Sequence, residues 1–151
     1  MTNTKPFRSG VLGVFYKDGK VLVCERALTA NAWQFPQGGI DDGEDEDVAI
    51  IREVREELGL TTATILKKSA VKISYHFPES MKHKLCESYC GQEHRWYLLA
   101  YDGVEPINFH LSDEVEFRAF KWVSPETAVE DVTSWRRDAY RQGLIELGII
   151  F

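Results

Sequence analysis

The segment Gly38–Leu60, GGIDDGEDEDVAIIREVREELGL, dictates more about the fold than any other part of the chain. From about Asp45 to Leu58 its pattern is helical, with acids crowded into the first turn, where the helix dipole favours negative charge. Gly59 stands where a left-handed C-terminal residue is wanted, and Leu60 is placed to fold back onto Val54. Val48, Ile51, Val54 and Leu58 recur at helical spacing and predict one apolar face. The expectation is a helix packed by that face and preceded by a loop, NAWQFPQGGIDDGE, in which Pro36 keeps Phe35 extended and glycines break regular structure.

The same segment concentrates charge. It holds nine acids (Asp41, Asp42, Glu44, Asp45, Glu46, Asp47, Glu53, Glu56, Glu57) against Arg52 and Arg55. The whole chain has 24 acids and 18 bases, so everything outside the segment is nearly neutral, at 15 acids and 16 bases. Glu53, Glu56 and Glu57 stand at i, i+3 and i+4 and share one face within a turn. At ~100° per residue that face points roughly 140° from Ile51 and Leu58, which predicts a helix that packs by one side and offers carboxylates on another. Three such groups repel and raise one another's pKa unless a cation sits between them. Mg²⁺ suits hard oxygen ligands and shares its shell with substrate phosphates, and Gly38 offers a carbonyl with no side chain beside it. The plainer reading is a solvated acidic face in which Arg52 and Glu56 form an ordinary i,i+4 pair.

The remaining chain reads as strands with two further helices. GVLGVFYKDGKVLVCER predicts a hairpin of Val11–Tyr16 and Val21–Cys24 around an Asp-Gly turn. Strand-like runs follow at Ala63–Leu66, Val71–Phe77, Trp96–Tyr101 and Phe117–Val123. SPETAVEDV predicts a short helix with Ser124 as cap and Pro125 at its first position, and SWRRDAYRQGLIELGII a final helix. This mixture indicates an α/β or α+β sandwich, with Met81–Glu93 a long irregular loop. At 151 residues, with 44% hydrophobic and 28% charged content, the chain is expected to be one domain, 1–151.

Other features set limits. A net charge of −6 does not suit general affinity for nucleic acid, though a single RNA end needs only a few placed bases. Its opening, MTNTKPFRSG, lacks the apolar core of a secretory signal, and no apolar run approaches ~18 residues. Cys24, Cys86 and Cys90 have no disulfide-framework spacing. The expectation is therefore a cytoplasmic, non-membrane protein. His83, Cys86, Cys90 and His94 are candidates for zinc, but their spacing is not a common ligand pattern, and a polar surface loop is the expected reading. Phe7, Ile149, Ile150 and Phe151 either pair two subunits in a homodimer or cap the core.

Taken together, Gly38, five residues, Glu44, seven residues, then Arg52-Glu53-Val54, any residue, Glu56-Glu57, any residue and Gly59-Leu60 specify nine positions in 23. The pattern is similar to the Nudix hydrolase signature at every fixed position. The resemblance implies an α/β/α sandwich with a mixed central sheet, and Mg²⁺-assisted cleavage of a phosphoanhydride, with Mn²⁺ as substitute. It also implies that Glu53, Glu56 and Glu57 hold the metal, with the Gly38 carbonyl nearby. Glu44 and Arg52 would brace the loop against the helix, and Gly59 would end it. Mg²⁺ reverses the local sign of a carboxylate site and acidifies a bound water, whose proton a carboxylate accepts. Glu53 is the first choice for that base.

WQFPQGGID (Trp33–Asp41) resembles a segment shared by bacterial RNA pyrophosphohydrolases and the related diadenosine polyphosphate hydrolases. Further matches run through Gly91-Gln92, RWYLL, Glu116-Phe117, KWVSP and WRRDAYR. Carried over by position, Glu116 is a further metal ligand or base, with Asp113 and Glu114 as competitors. Arg8 and Arg26 meet the substrate's phosphates, a task suited to forked guanidinium donors, and Gln37 and Arg136 are further substrate-binding residues. Trp135 stacks on a base near an RNA 5′ end or packs in the core, and Arg136 and Arg137 favour the exposed alternative. Two departures stand out: Arg8-Ser9-Gly10 replaces the group's Arg-Pro-Asn, and the Glu79–Gln92 loop differs in character. The resemblance points to 5′-triphosphorylated RNA as substrate. Diadenosine polyphosphates or free nucleotides are the alternative, and a non-catalytic nucleotide-binding module, which would show a broken signature, is the third.

Overall fold

A computed structural model describes residues 5–150, so Phe151 lies outside the described residues. Strands β1 (Phe7–Lys17) and β2 (Lys20–Arg26) make the predicted hairpin. Asp18 and Gly19 carry φ of 53° and 77°, the pair of positive values a tight two-residue turn between twisted strands requires. Two more strands, β3 (Trp33–Gln34) and β4 (Gln37–Gly39), lie inside the segment expected to be loop. They are two and three residues long, too short to leave a periodic signal. Backbone pairing holds them: β3 to β2, β4 to β1 at Gly10–Leu12, and the Gly13 N–H to the Pro36 carbonyl at 2.9 Å.

Helix α1 (Glu46–Leu58) comes next, then β5 (Thr64–Lys68), β6 (Ile73–His76) and β7 (Gly91–Ala100). Strand β7 begins at Gly91 rather than Trp96, because its polar first half is laddered on both sides, by β1 and by β6. The intervening loop contains a 3₁₀ turn at Lys84–Glu87, capped by His83, whose Nδ1 accepts from the Leu85 N–H at 3.1 Å. Strand β8 (Phe117–Val123) runs antiparallel to β2. Helix α2 (Pro125–Asp131), capped by Ser124, a 3₁₀ turn at Ser134–Arg136 and helix α3 (Arg137–Glu146) complete the chain.

The sheet is mixed, with the parallel pair β1–β7 at its centre and antiparallel partners around it. Alternation along β1 assigns its two faces. Val11 and Phe15 join Ile50, Val54 and Leu58 of α1, whereas Leu12 and Val14 join Tyr140 and Leu144 of α3. The result is the α/β/α sandwich that the sequence implied. Ile149 and Ile150 pack against the α3-side core, and the Phe7 ring lies 5.0 Å from His76. Helix α3 approaches so closely that a Cβ on Gly143 would overlap the Trp96 indole. Gly143→Ala is therefore expected to cost about 1–3 kcal/mol, read as a lowered denaturation midpoint at unchanged m-value.

Candidate active site

The site is built on α1. The Asp45 side chain accepts from the Asp47 N–H at 2.9 Å, and Gly59, at φ 70°, donates to the Arg55 carbonyl. Its buried residues are Ala49, Ile50, Val54, Glu57 and Leu58, while Val48 is 58% exposed. This corrects the apolar face expected from sequence: Ile50, not Val48, faces the core. The rotation has a chemical consequence. Glu57 lies only ~60° around the helix from Val54 and is carried into the protein, just 6% exposed, while Glu56 stays outside. The three carboxylates are thus graded from buried to solvated rather than shared on one exposed face.

Arg52 organises what surrounds them. Its guanidinium grips Glu44 through two bonds, Nε to Oε2 at 2.8 Å and Nη2 to Oε1 at 2.9 Å. It also donates to the Gly39 carbonyl at 3.0 Å, to Glu53 at 2.9 Å and to Glu56 at 3.3 Å. Glu44 accepts from the Asp41 N–H as well, and the Arg52 bonds first among these contacts hold its carboxyl down to about 2. One arginine thereby ties the β4 loop to the helix and fixes where Glu53 stands. Gly38 meets Glu53 directly: a Cβ there would overlap the carboxylate. Backbone and carboxylate can be this close only because the residue is glycine.

A cavity of about 370 Å³ opens beside this contact. Gly38, Glu53, Glu57 and Glu116 line it together with Arg8, Arg26, Gln37 and Arg136. Glu56 is reached through an adjoining cleft of about 150 Å³ that it shares with Glu53, Glu57, Glu114 and Glu116. Glu114 is therefore near the acids; Asp113 lines neither space. Burial, then the charge of Glu53, push the Glu57 carboxyl well up, and burial also raises Glu53. Glu57 Oε2 is buried with no hydrogen-bond partner. A buried, partnerless carboxylate oxygen among four further carboxylates is a donor set that suits a hard divalent cation. Among the described residues, these acids line the cavity and its adjoining cleft without converging on one point. They fit a cation as wall groups, with Glu53, Glu57 and Glu116 bordering the main cavity.

Arg8, Arg26 and Arg136 have no carboxylate within ion-pair reach among the described residues. Arg136 is not the exposed group expected from sequence. It is 8% exposed, donates to Gln34 at 3.0 Å, lies over the Tyr75 and Trp135 rings, and leaves its buried Nε unpartnered. Two aromatic faces give the planar cation a place that an aliphatic core would deny it. Trp135 is partly buried, edge-on to Tyr75 at 5.3 Å. It borders a second cavity of about 380 Å³ with Trp33, and Arg26, Gln34 and Arg136 line both cavities.

Several lining groups escaped sequence reasoning. His94 is 2% exposed, and burial first, then the charges of Arg136 and Arg8, hold its imidazole down to about 3. Gln92 accepts from the Tyr75 hydroxyl and from Gln37 Nε2 at 3.3 Å. Both lie on the polar half of β7, whose alternation GQEHRW was the available signal. The four zinc candidates form no metal-binding group among the described residues: His83 and His94 both border the main cavity, but His94 is sunk in the sheet and His83 caps the outer loop.

Comparison with known proteins agrees with this geometry. The NUDIX domain matches residues 5–143. The chain is 35% identical to an RNA pyrophosphohydrolase of Gluconobacter oxydans, covering 98% of this chain and 89% of that protein. It is 36% identical to the chloroplastic Nudix hydrolase 26 of Arabidopsis thaliana, covering 82% and 60% respectively. In fold it is similar to the E. coli dihydroneopterin triphosphate pyrophosphohydrolase, with a TM-score of 0.67 at 24% identity over 93% of this chain and 99% of that one. With a carboxylate helix, its arginine brace and its glycine contact all in one matched span, the chain belongs to the NUDIX-domain family.

Proposed function

We propose that the protein is a Mg²⁺-dependent RNA pyrophosphohydrolase. It converts a 5′-triphosphate or 5′-diphosphate RNA end to the monophosphate, releasing pyrophosphate or phosphate. The observation that carries this reading is the cavity that the buried Glu57, its Oε2 unpartnered, shares with Arg8, Arg26 and Arg136, none of which has a carboxylate within ion-pair reach among the described residues. Such a space suits a ligand that brings cation and polyphosphate together. The relatives named RNA pyrophosphohydrolase in Gluconobacter oxydans and Rhodospirillum rubrum, the latter 34% identical over 94% of this chain, support RNA as the substrate. A cytoplasmic location and a single domain over residues 1–151 accompany the proposal.

Glu53, Glu57 and Glu116, with Glu56 and the Gly38 carbonyl beside them, would hold the metal. Bound there, Mg²⁺ (or Mn²⁺) neutralises phosphate charge and makes a water acidic. The residues do the rest. Arg8 and Arg26 take phosphate oxygens and hold the chain of phosphates in line. A carboxylate, Glu53 in this assignment, accepts the water's proton as the new P–O bond forms and the anhydride bond breaks. Arg52 keeps Glu53 in place throughout. Trp135 and Trp33 border the adjoining cavity, where an RNA base finds aromatic surface.

The expected result is a larger kcat/KM on a triphosphorylated oligonucleotide than on diadenosine tetraphosphate, with end-labelled RNA yielding a 5′-monophosphate. A large preference for the dinucleotide would sink the RNA assignment and leave a hydrolase of nucleotide polyphosphates.

A further inference from the structure

Next to the site lies a recess of about 660 Å³ lined by Lys5, Lys82, His83, Lys84, Cys86 and Glu87. Three lysines gather there in a chain of net charge −6. None of the three has a carboxylate within ion-pair reach among the described residues. Glu87 is the one acid lining the recess.

The recess is anchored. Lys5 Nζ donates to the Cys86 carbonyl at 2.7 Å, and the Cys90 N–H donates to the Pro6 carbonyl at 3.0 Å. These bonds tie the loop to the start of β1, the strand that carries Arg8. The recess is also continuous with the site, because His83 lines both. With Nδ1 engaged by Leu85, the ring's free nitrogen is Nε2. The chemistry of two of the spaces adjoining the catalytic cavity differs. The cavity bordered by Trp33 and Trp135 suits a base; the lysine recess, whose one ring is the His83 imidazole, is dominated by cations and suits phosphates.

We infer that Lys5, Lys82 and Lys84 form a ledge that receives the phosphodiester backbone of the RNA beyond its first nucleotides. The inference rests on the RNA reading of the site. It assigns the ledge to affinity for longer chains, without a part in the chemistry or in holding the 5′ phosphates. Each lysine–phosphate contact on single-stranded nucleic acid contributes about 0.7 to the slope of log affinity against log salt.

The test compares wild type with Lys82→Ala/Lys84→Ala and with Lys82→Glu/Lys84→Glu. Triphosphorylated RNAs of increasing length, from a dinucleotide to a dodecamer, and ATP serve as substrates over a salt series. In wild type, kcat/KM should rise with length and fall with salt. In the alanine variant KM for the longest RNA should rise about tenfold and the salt slope should drop by about 1.4, with kcat/KM on the dinucleotide and on ATP unchanged. The charge reversal should deepen the loss on long RNA only. Identical length and salt dependence in all three proteins would overturn the ledge while leaving the RNA reading standing. Equal losses on ATP would place the lysines in general anion attraction and also overturn it. A wild-type protein that cleaves ATP but none of the RNAs would overturn both.

Discussion

Glu57→Gln should leave a folded protein whose kcat falls by roughly 10³-fold. The amide keeps the shape of the buried side chain and removes the charge that a cation needs. Stability should move the other way. Burial and Glu53 raise the Glu57 pKa, so the metal-free folded state holds its proton after the unfolded chain has released it. The stability this confers is full below the unfolded value of ~4.3 and is lost as pH rises through the raised value. Metal-free wild type should therefore weaken from weakly acidic pH upward, and added Mg²⁺ should restore more of its thermal midpoint at high pH than at low. Glu57→Gln should show a flatter pH profile and almost no Mg²⁺ response. Calorimetric scans across pH, with and without Mg²⁺, read both effects. Near-normal turnover, or a wild-type Mg²⁺ response, in the folded variant would defeat the assignment of this carboxylate.

Gly38→Ala is the second large effect, and it acts by geometry alone. The new methyl group would occupy the space of the Glu53 carboxylate. Retreat of β4 is opposed by its ladder to β1, which pairs Val11 with Gly38 and Gly10 with Gly39. Arg52 resists as well, holding the neighbouring Gly39 carbonyl and Glu53 in one grip. The side chain that yields is Glu53. A displacement on the scale of 1 Å in a reacting constellation costs about 10²-fold, so kcat/KM should fall by that order. The thermal midpoint should change little, because Glu53 needs only to swing toward solvent. Full activity in Gly38→Ala would show that the Glu53 position seen here is not the working one.

What was legible in the sequence was whatever is decided locally. Asp18-Gly19 fixes its turn by backbone sterics, Ser124-Pro125 starts its helix by capping, and Gly59 stops α1 through one left-handed residue. The carboxylate spacing was visible for the same reason. Depth was not. Val48 and Ile50 are equally apolar in a helical count, and only the sheet on which α1 lands decides which is covered. That choice made Glu57 a buried group, a property no spacing rule contains. Arg136 escaped for a related reason: its shelter comes from Tyr75, distant in sequence, and from its neighbour Trp135. Strands β3 and β4 exist because other strands pair with them, and the polar start of β7 is a strand because β1 and β6 flank it.

The Phe77 N–H bonds the Cys90 carbonyl at 3.0 Å, so the excursion from Pro78 to Tyr89 starts and ends at one closed clasp. Past that clasp, β6 and β7 meet in unbroken register from His76↔Gly91 inward. Changes of length within the excursion should therefore leave the ladder positions of Gln92 and His94 in place, at a cost that grows only slowly with chain length. Such a layout lets lineages retune which polymer is gripped while the hydrolytic apparatus stays put, so variation should accumulate in this appendage and spare the ladder beneath it.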